Sequence, residues 1–535
     1  MHPACRRLVL LALLTLVAAL LRFSATSFGL PDKYRPDEGY LVLRALDFEH
    51  DWNPRFAVYP AAQMYLQHGL LRLYAKLAAP GARDFREVYA PDGGALAYLL
   101  GRRLSAAFGA ATVPAIYLVA SSGYGPVAGF TAAALVALSP IHVRESRYAT
   151  TDAALVFWLT LALGATLALT RRGRYRDYLA AGALAGLATA TKYPAATVLV
   201  GIVIGHFEGC HREGRSIARA LLDPRIYAAL ALAALVFLCA TPYFVLDWQS
   251  TLESFRYQRA FVLGGGGNAD AGYGWSWLLL HALPDGFGLG CSLLFAAALF
   301  WALARPGSGA LALAGFVLLS FLGMTLSRYV FYRYILVALP ALAILAGAMV
   351  SDLLALAERR DVPQGRSVIA IVLGLVVLLG PATARNLMLI RLLDREDTRT
   401  VARKWIAANV PRGSSIAVSD AAKRFGKPQL SGEYQLVPLE PLASLRAKRV
   451  EWVFADTSPL RFFSPGPDAA ELSELERDAK LRLDVDPVRP DAPAPVFDAA
   501  DAFYAPLRNI GSMSRPGPRV RIWQIDSGQR IEDRR

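Results

Sequence analysis

Only four cysteines occur in 535 residues, and Cys5, Cys210, Cys239 and Cys291 all lie in or beside apolar runs. The polar stretch after Leu387 has none, which excludes a disulfide framework there. Charge is scarce as well: 19% of residues are charged against 55% hydrophobic, and the mean hydropathy is +0.34. No GxxxxGKS or GxxxxGKT run is present to cradle a nucleotide phosphate. The glycine run Gly264 to Gly267 has no helix signal behind it and reads as a flexible segment. His50, His68 and His142 lack ligand-like spacing, and no direct or inverted repeat is found. A net charge of +14 remains, but the basic residues cluster in short loops between apolar runs, which sets membrane topology and argues against nucleic acid as a partner.

What is abundant is apolar sequence in long runs. They lie near Leu8–Phe28, Leu104–Ala120, Val127–Leu138, Ala153–Leu169, Leu179–Ala190, Ala195–Ile204, Tyr227–Ala240, Phe287–Leu303, Leu311–Leu326, Ile335–Leu354 and Val368–Leu379. The pattern predicts a polytopic α-helical membrane protein of about eleven spans, the shorter runs being completed by their flanks to the ~20 residues a crossing needs. Threaded from a cytoplasmic amino terminus, Arg6, Arg7, "RRGRYRDY", "HREGR", Arg305 and "ERRDVPQGR" all fall inside, as the positive-inside rule requires. The first run, with Arg6 and Arg7 before it and small residues at its end, also has features of a signal peptide, but the polytopic context favours a retained anchor. Residues 1–386 then form a membrane domain with an extracytoplasmic loop at 29–95, and residues 387–535 a small extracytoplasmic α/β domain. In the latter, a helix begins at Asp397 or Thr398 and ends near Pro411 and Gly413. Strands follow in "SSIAV", "RVEWVFAD" and "VRIWQI", and Asp484–Asp501 reads as loop.

Two adjacent carboxylates, Asp37 and Glu38 in "RPDEGY", stand at the start of the extracytoplasmic loop. Pro36 followed by two acids is how an ordinary helix begins, so the pair has a purely structural reading. Neighbours on a helix point roughly 100° apart, so the two cannot share one role. Basic residues that break the positive-inside rule fall on the same face: Arg144 and Arg147 in "SPIHVRESRYATTD", Lys192 in "ATKYP", and Arg328 and Arg333 in "SRYVFYRY". Singly they can snorkel. Together they suit an anion at the membrane surface, and a lipid phosphate is the anion at hand. Arg102, Arg103 and Arg328 are the next candidates for that role.

"RPDEGY", "NPRFAVYP", "SPIHVRESRYATTDAALVFW", "ATKYP", "YRYILVALPALAIL" and "DTRTVARKWIAANVPRGSSI" follow one another over the first 420 or so residues, and in that order they resemble the GT-C glycosyltransferases of the protein O-mannosyltransferase and lipid A aminoarabinose transferase type. The resemblance implies a GT-C membrane fold of about eleven transmembrane helices with a small C-terminal extracytoplasmic domain. It implies an inverting glycosyltransferase that moves a sugar from a polyprenyl-phosphate donor to an envelope hydroxyl on a protein, lipid A or another glycan. Asp37 and Glu38 match the family's acidic motif, with Asp37 expected as general base and Glu38 as a brace or ion ligand. Arg144, Arg147, Lys192 and Arg333 match its basic positions and are expected to bind the donor phosphate. No cofactor is required and no metal ligand set is assigned, although adjacent acids admit a divalent ion. The expected setting is a bacterial inner membrane. A lipid-linked sugar transporter or flippase without transferase activity is the alternative, and an inactive scaffold a third reading; buried charges mark substrate paths too. If the topology is right, a reporter fused after Gly413 is active only in the extracytoplasmic space; activity in the cytoplasm would overturn the placement of the site.

Overall fold

A computed structural model describes the chain apart from residues 1, 83, 264–273, 307, 326, 328–329, 420–429, 431, 458–468, 499–502 and 526–535. The glycine run at 264–267 and Arg328 therefore lie outside the described residues. The chain forms two compact units. One comprises Met1–Thr26, Asp37–Gly265 and Ala271–Leu387; the other is built on Ser27–Pro36 and Met388–Arg535.

The first unit is helical. Its opening elements are α1 (Pro3–Phe23), α2 (Pro36–Asp47), α3 (Ala62–Ala78), α4 (Ala95–Tyr124), α5 (Pro126–Leu138), α6 (Pro140–Glu145), α7 (Asp152–Arg172) and α8 (Tyr175–Thr191). Each of the eleven apolar runs falls largely on a helix. Among the described residues seven helices are long and apolar enough to cross a bilayer alone, and an eighth crossing results if Gly274–Phe287 and Leu289–Leu303, bent by 118°, act as one. Pro126–Leu138 and Ala310–Thr325 are apolar but shorter, and Tyr175–Thr191 has 17 residues. Large apolar side chains such as Leu8, Leu10 and Leu20 on α1, and Val376 and Val377 on Gln364–Leu393, are exposed, as lipid-facing residues must be. Where α8 meets Pro224–Ala240, Gly182 and Gly186 let the backbones close up: a Cβ on either would drive into the carbonyl oxygens of Ala229 and Ala233.

The loop at 29–95 is not simply a loop. It carries α2, α3 and a short 3₁₀ turn, Phe85–Val88. Pro36 opens α2, Asp37 and Glu38 occupy its first turn and Arg44 its last, the distribution the helix dipole favours. Glu38, Leu41, Val42 and Ala45 are buried, spaced as one helical face.

The second unit holds a five-stranded sheet: β1 (Ser415–Val418), β2 (Gln435–Pro438), β3 (Trp452–Thr457), β4 (Lys480–Val485) and β5 (Arg519–Gln524), in the order β2-β1-β3-β5-β4. β1 runs parallel to β2 and β3, while β5 is antiparallel to β3 and β4. The helix Thr398–Asn409 is capped by Asp397, whose side chain accepts from the Arg399 amide, and it buries Ala402 and Ile406 against Ile416, Phe454 and Ile522. Ser27–Pro36, expected from the sequence to lie in the membrane domain, belongs to this unit. Polar ties hold it: Tyr34 Oη meets Thr400 Oγ1 at 2.8 Å, and Asp32 accepts from Arg403 at 3.0 Å.

Asp456, near the end of β3, is fully buried; Ser419 Oγ donates to one oxygen at 3.2 Å and the other has no hydrogen bond. Burial pushes its carboxyl up from 3.8 to about 6. The folded chain thus keeps a proton the unfolded chain releases, and stability is lost as pH rises from about 4 through 6. Asp456→Asn should raise the unfolding temperature of the purified chain at pH 8, by the equivalent of at most about 3 kcal/mol, with the gain disappearing near pH 4 in scanning calorimetry.

Candidate active site

The adjacent acids part company in the first turn of α2. Glu38 is completely buried; its two oxygens accept from Nε and Nη2 of Arg102, each at 2.7 Å, and Oε1 also accepts from the Ala149 amide at 2.8 Å. Arg102, on α4, donates through Nη1 to the Thr26 carbonyl at 2.8 Å. This bidentate pair ties α2 to α4 and to the turn before α7. Asp37 points elsewhere: its Oδ2 accepts from Arg333 Nη2 at 2.7 Å, and its side chain is 23% exposed where that of Arg333 is 4% exposed. Of the two acids, only Asp37 is open to an incoming molecule.

Around Arg333 the charges alternate. Burial opposes its charge, but Asp37 first, then Tyr59, Asp152 and Glu145, hold its pKa well above the ordinary arginine value. Asp152, at the start of α7, accepts from Lys192 Nζ at 2.6 Å, and Lys192 Nζ lies 5.8 Å from the centre of the Tyr334 ring. Glu145 accepts from Arg144 Nη1 at 2.9 Å. Tyr59 completes the group: burial raises its hydroxyl pKa, and Asp37 raises it further while Arg333 lowers it. Asp37, Arg144, Lys192 and Arg333 thus gather in one cluster with Tyr59, Glu145 and Asp152.

Arg147 does not join them. It is buried, and it donates through Nε to the Ser24 carbonyl at 3.1 Å, through Nη2 to Leu21 and through Nη1 to Val143. These include carbonyls that α1 leaves unpaired at its C-terminal end, where a positive charge also complements the helix dipole. Arg147, expected as a phosphate ligand, thus caps the end of α1 and pairs with none of the acids around Arg333. Arg22 does the same for α5, donating to Val136 and Ala137 at 2.9 and 3.0 Å, with His142 Nδ1 2.9 Å from Nη2. Arg102, a reserve candidate, is committed to Glu38, and Arg103 is exposed.

Sequence reasoning passed over Tyr59, Glu145 and Asp152, although all three sit in the quoted motifs. The signal was there: basic residues placed in a low-dielectric interior need acids close by, and "HVRESRYATTD" supplies them between its arginines and at its end. One further group of metal-ligating side chains, His206, Cys210 and Asp223, has ligand atoms within 4.8 Å of one another. Its atoms are engaged by the protein: His206 with Tyr178 Oη at 2.6 Å and the Ala220 carbonyl at 2.9 Å, Asp223 with Arg215 and Arg225.

Residues 99–244 match the family described as dolichyl-phosphate-mannose-protein mannosyltransferase. Over nearly the whole chain the fold is similar to that of ArnT from Cupriavidus metallidurans. The structure bound to undecaprenyl phosphate is 15% identical, with a TM-score of 0.50 and 97% of each chain covered; in the apo state the values are 14%, 0.51, and 98% and 99%. The chain has the GT-C fold of the protein O-mannosyltransferase and ArnT type. A second GT-C structure, the apo oligosaccharyltransferase of Archaeoglobus fulgidus, is 12% identical with a TM-score of 0.50, covering 85% of this chain and 70% of that one. The Pmt1-Pmt2 complex of Saccharomyces cerevisiae bound to the sugar donor is 22% identical over 47% of this chain and 35% of that chain, with a TM-score of 0.36. No curated protein matches the sequence. Fold and apolar helices together make this a multi-pass membrane protein.

The roles read from the geometry separate on stability. Glu38→Gln breaks a fully buried pair and should cost about 3–5 kcal/mol. Asp37→Asn should cost less, because Asp37 is partly exposed and Asp152 and Glu145 still act on Arg333. Thermal unfolding of the purified variants checks this; an Asp37→Asn protein less stable than Glu38→Gln would reverse the two roles.

Proposed function

We propose that the chain is a glycosyltransferase that moves a sugar from a polyprenyl-phosphate donor to an envelope hydroxyl on the extracytoplasmic face of a bacterial inner membrane. The observation that carries the reading is the Asp37–Arg333 pair, a partly exposed carboxylate oriented by a buried guanidinium among further cations. Support also comes from the fold shared with ArnT, whose structure holds undecaprenyl phosphate. Asp37 takes the proton of the acceptor hydroxyl, whose oxygen attacks the anomeric carbon. The bond from that carbon to the phosphate oxygen breaks, and its electron pair leaves with the polyprenyl phosphate, inverting the configuration. Arg333 has five N–H donors and can serve the Asp37 carboxylate and a phosphate together. Lys192 and Arg144 add positive charge where the leaving phosphate gains negative charge, and interactions that strengthen in the transition state are the ones that accelerate the step.

The test uses purified protein in liposomes with undecaprenyl-phosphate sugars and membrane extract, scored for transfer and for translocation. Asp37→Asn should lower transfer by at least about 10² with donor affinity nearly unchanged, since the amide keeps the shape but cannot accept the proton. Translocation without transfer by the wild type would establish a flippase, and undiminished transfer by Asp37→Asn would remove Asp37 as the base.

A further inference from the structure

The turn between α7 and α8 lies one bilayer away from the candidate site. α7 begins at Asp152, inside the site cluster, and its 21 residues rise about 30 Å to Arg172, the thickness of a hydrocarbon core. Three stretches long and apolar enough to span have an end here: Asp152–Arg172, Tyr193–Arg212 and Ile217–Ala240. Residues 171–176 and 211–222 therefore stand at the headgroup level of the leaflet opposite the site. The two stretches are joined, since Arg225 donates to the Gly173 carbonyl and shares Asp223 with Arg215. They hold seven arginines. Four of these are engaged by the protein: Arg171 donates to the Ser308 carbonyl at 2.9 Å, Arg212 to those of Thr170 and Arg171 at 2.7 and 2.6 Å, and Arg172 and Arg215 pair with Asp177 and Asp223 at 3.2 and 2.7 Å. The other three, Arg174, Arg176 and Arg219, are exposed and meet neither a carboxylate nor a carbonyl among the described residues. The positive-inside rule asks only that such loops be basic; it does not decide which of their charges stay unmatched.

Beside Arg219 the surface is apolar. Ser216 caps the short helix Ile217–Leu221 by accepting from the Arg219 amide at 3.4 Å, and Tyr227 Oη donates to the Leu221 carbonyl at 2.6 Å. Held in this way, Ile217 and Leu222 are 72% and 80% exposed, and Leu221 and Tyr227 about half exposed. Water offers such side chains nothing, and lipid tails offer nothing to unmatched arginines. One medium satisfies both, the boundary between headgroups and acyl chains. The charge then selects the headgroup. Arginine's planar fork matches a phosphate, and a zwitterionic headgroup brings a cation of its own to compete for it, whereas an anionic headgroup does not.

We propose that this surface docks an anionic glycerophospholipid of the leaflet opposite the site, with its phosphate against Arg174, Arg176 and Arg219 and its acyl chains against Ile217, Leu221 and Leu222. The docking does not depend on the transferase reading. A lipid held there fixes the turn between α7 and α8, the two helices that present Asp152 and Lys192 at their far ends.

Native mass spectrometry of the purified full chain, titrated with dioleoyl phosphatidylglycerol or dioleoyl phosphatidylcholine, tests this. The wild type should hold phosphatidylglycerol at least about tenfold more tightly than phosphatidylcholine. A basic residue near an anionic surface contributes roughly fivefold in affinity, so Arg174→Gln, Arg176→Gln and Arg219→Gln combined should weaken phosphatidylglycerol binding at least about tenfold and leave phosphatidylcholine within about twofold. Leu221→Ser with Leu222→Ser should weaken both lipids. A charge-matched control, Arg359→Gln with Arg360→Gln and Arg366→Gln, removes three exposed arginines that follow Leu339–Glu358 and should bind as the wild type does. Exposed substitutions of this kind rarely disturb folding. Equal affinity of the wild type for the two lipids, or full binding by the arginine variant, would overturn the surface. So would an equal loss in the control, which would reduce the effect to overall charge. Glycerol phosphate supplies the headgroup without chains. If it bound as tightly as the lipid, or if the leucine variant kept both lipids, the arginines would be a site for a free anion and the docking of a lipid would be wrong.

Discussion

The ion pair between Glu38 and Arg102 is the constraint on which the site geometry depends. It has no access to water, both carboxylate oxygens are taken at 2.7 Å, and the Ala149 amide and Thr26 carbonyl use the remaining valences nearby. A pair so enclosed gains little over an apolar substitute of the same shape, but removing one partner leaves a bare charge, so the arrangement has one register only. With Glu38 fixed on α4, the rotation of α2 about its axis is settled. Asp37, one residue earlier, must then point about 100° away, toward Arg333. One carboxylate becomes immobile so that its neighbour can be held in place while remaining open.

The same principle sorts the basic residues. In a helical interior bordered by lipid, a guanidinium has two ways to be satisfied: an acid, or the carbonyls a helix leaves unpaired at its end. Arg22 and Arg147 take the second route, each closing the end of a different helix, and they become part of the frame. Arg333, Arg144 and Lys192 take the first, each against its own carboxylate. Those pairs stand close enough for Asp152 and Glu145 to act on Arg333 also, which makes a charge-balanced cluster rather than a bare cationic patch. An anion entering such a cluster competes with the acids already there.

Helix positions, the retained order of apolar runs and the capped helix at Thr398 were legible in the sequence because they follow from local signals: runs of apolar residues, Pro36 and acids at a first turn, Asp397 as a cap. β2 and β4 were not, since QLVP and KLRLDV are short, largely exposed segments whose strand character comes from the neighbours they pair with. Nor was the helical content of the loop at 29–95, or the attachment of Ser27–Pro36 to the second unit, which rests on partners some 370 positions away in sequence.

By itself the sequence determined that the chain crosses a membrane repeatedly, which short segments carry charge out of place, and that Asp37 and Glu38 cannot do the same work, because the first depends on hydropathy and the last on the pitch of a helix. Only the tertiary structure decided which charge meets which. Arg144 and Arg147 are three residues apart in one motif, yet one pairs with an acid of the site cluster and the other closes the end of α1. A sequence records that a cation must be neutralised, but the partner is fixed by long-range packing, which sets distances and the local dielectric and so the strength of every such interaction.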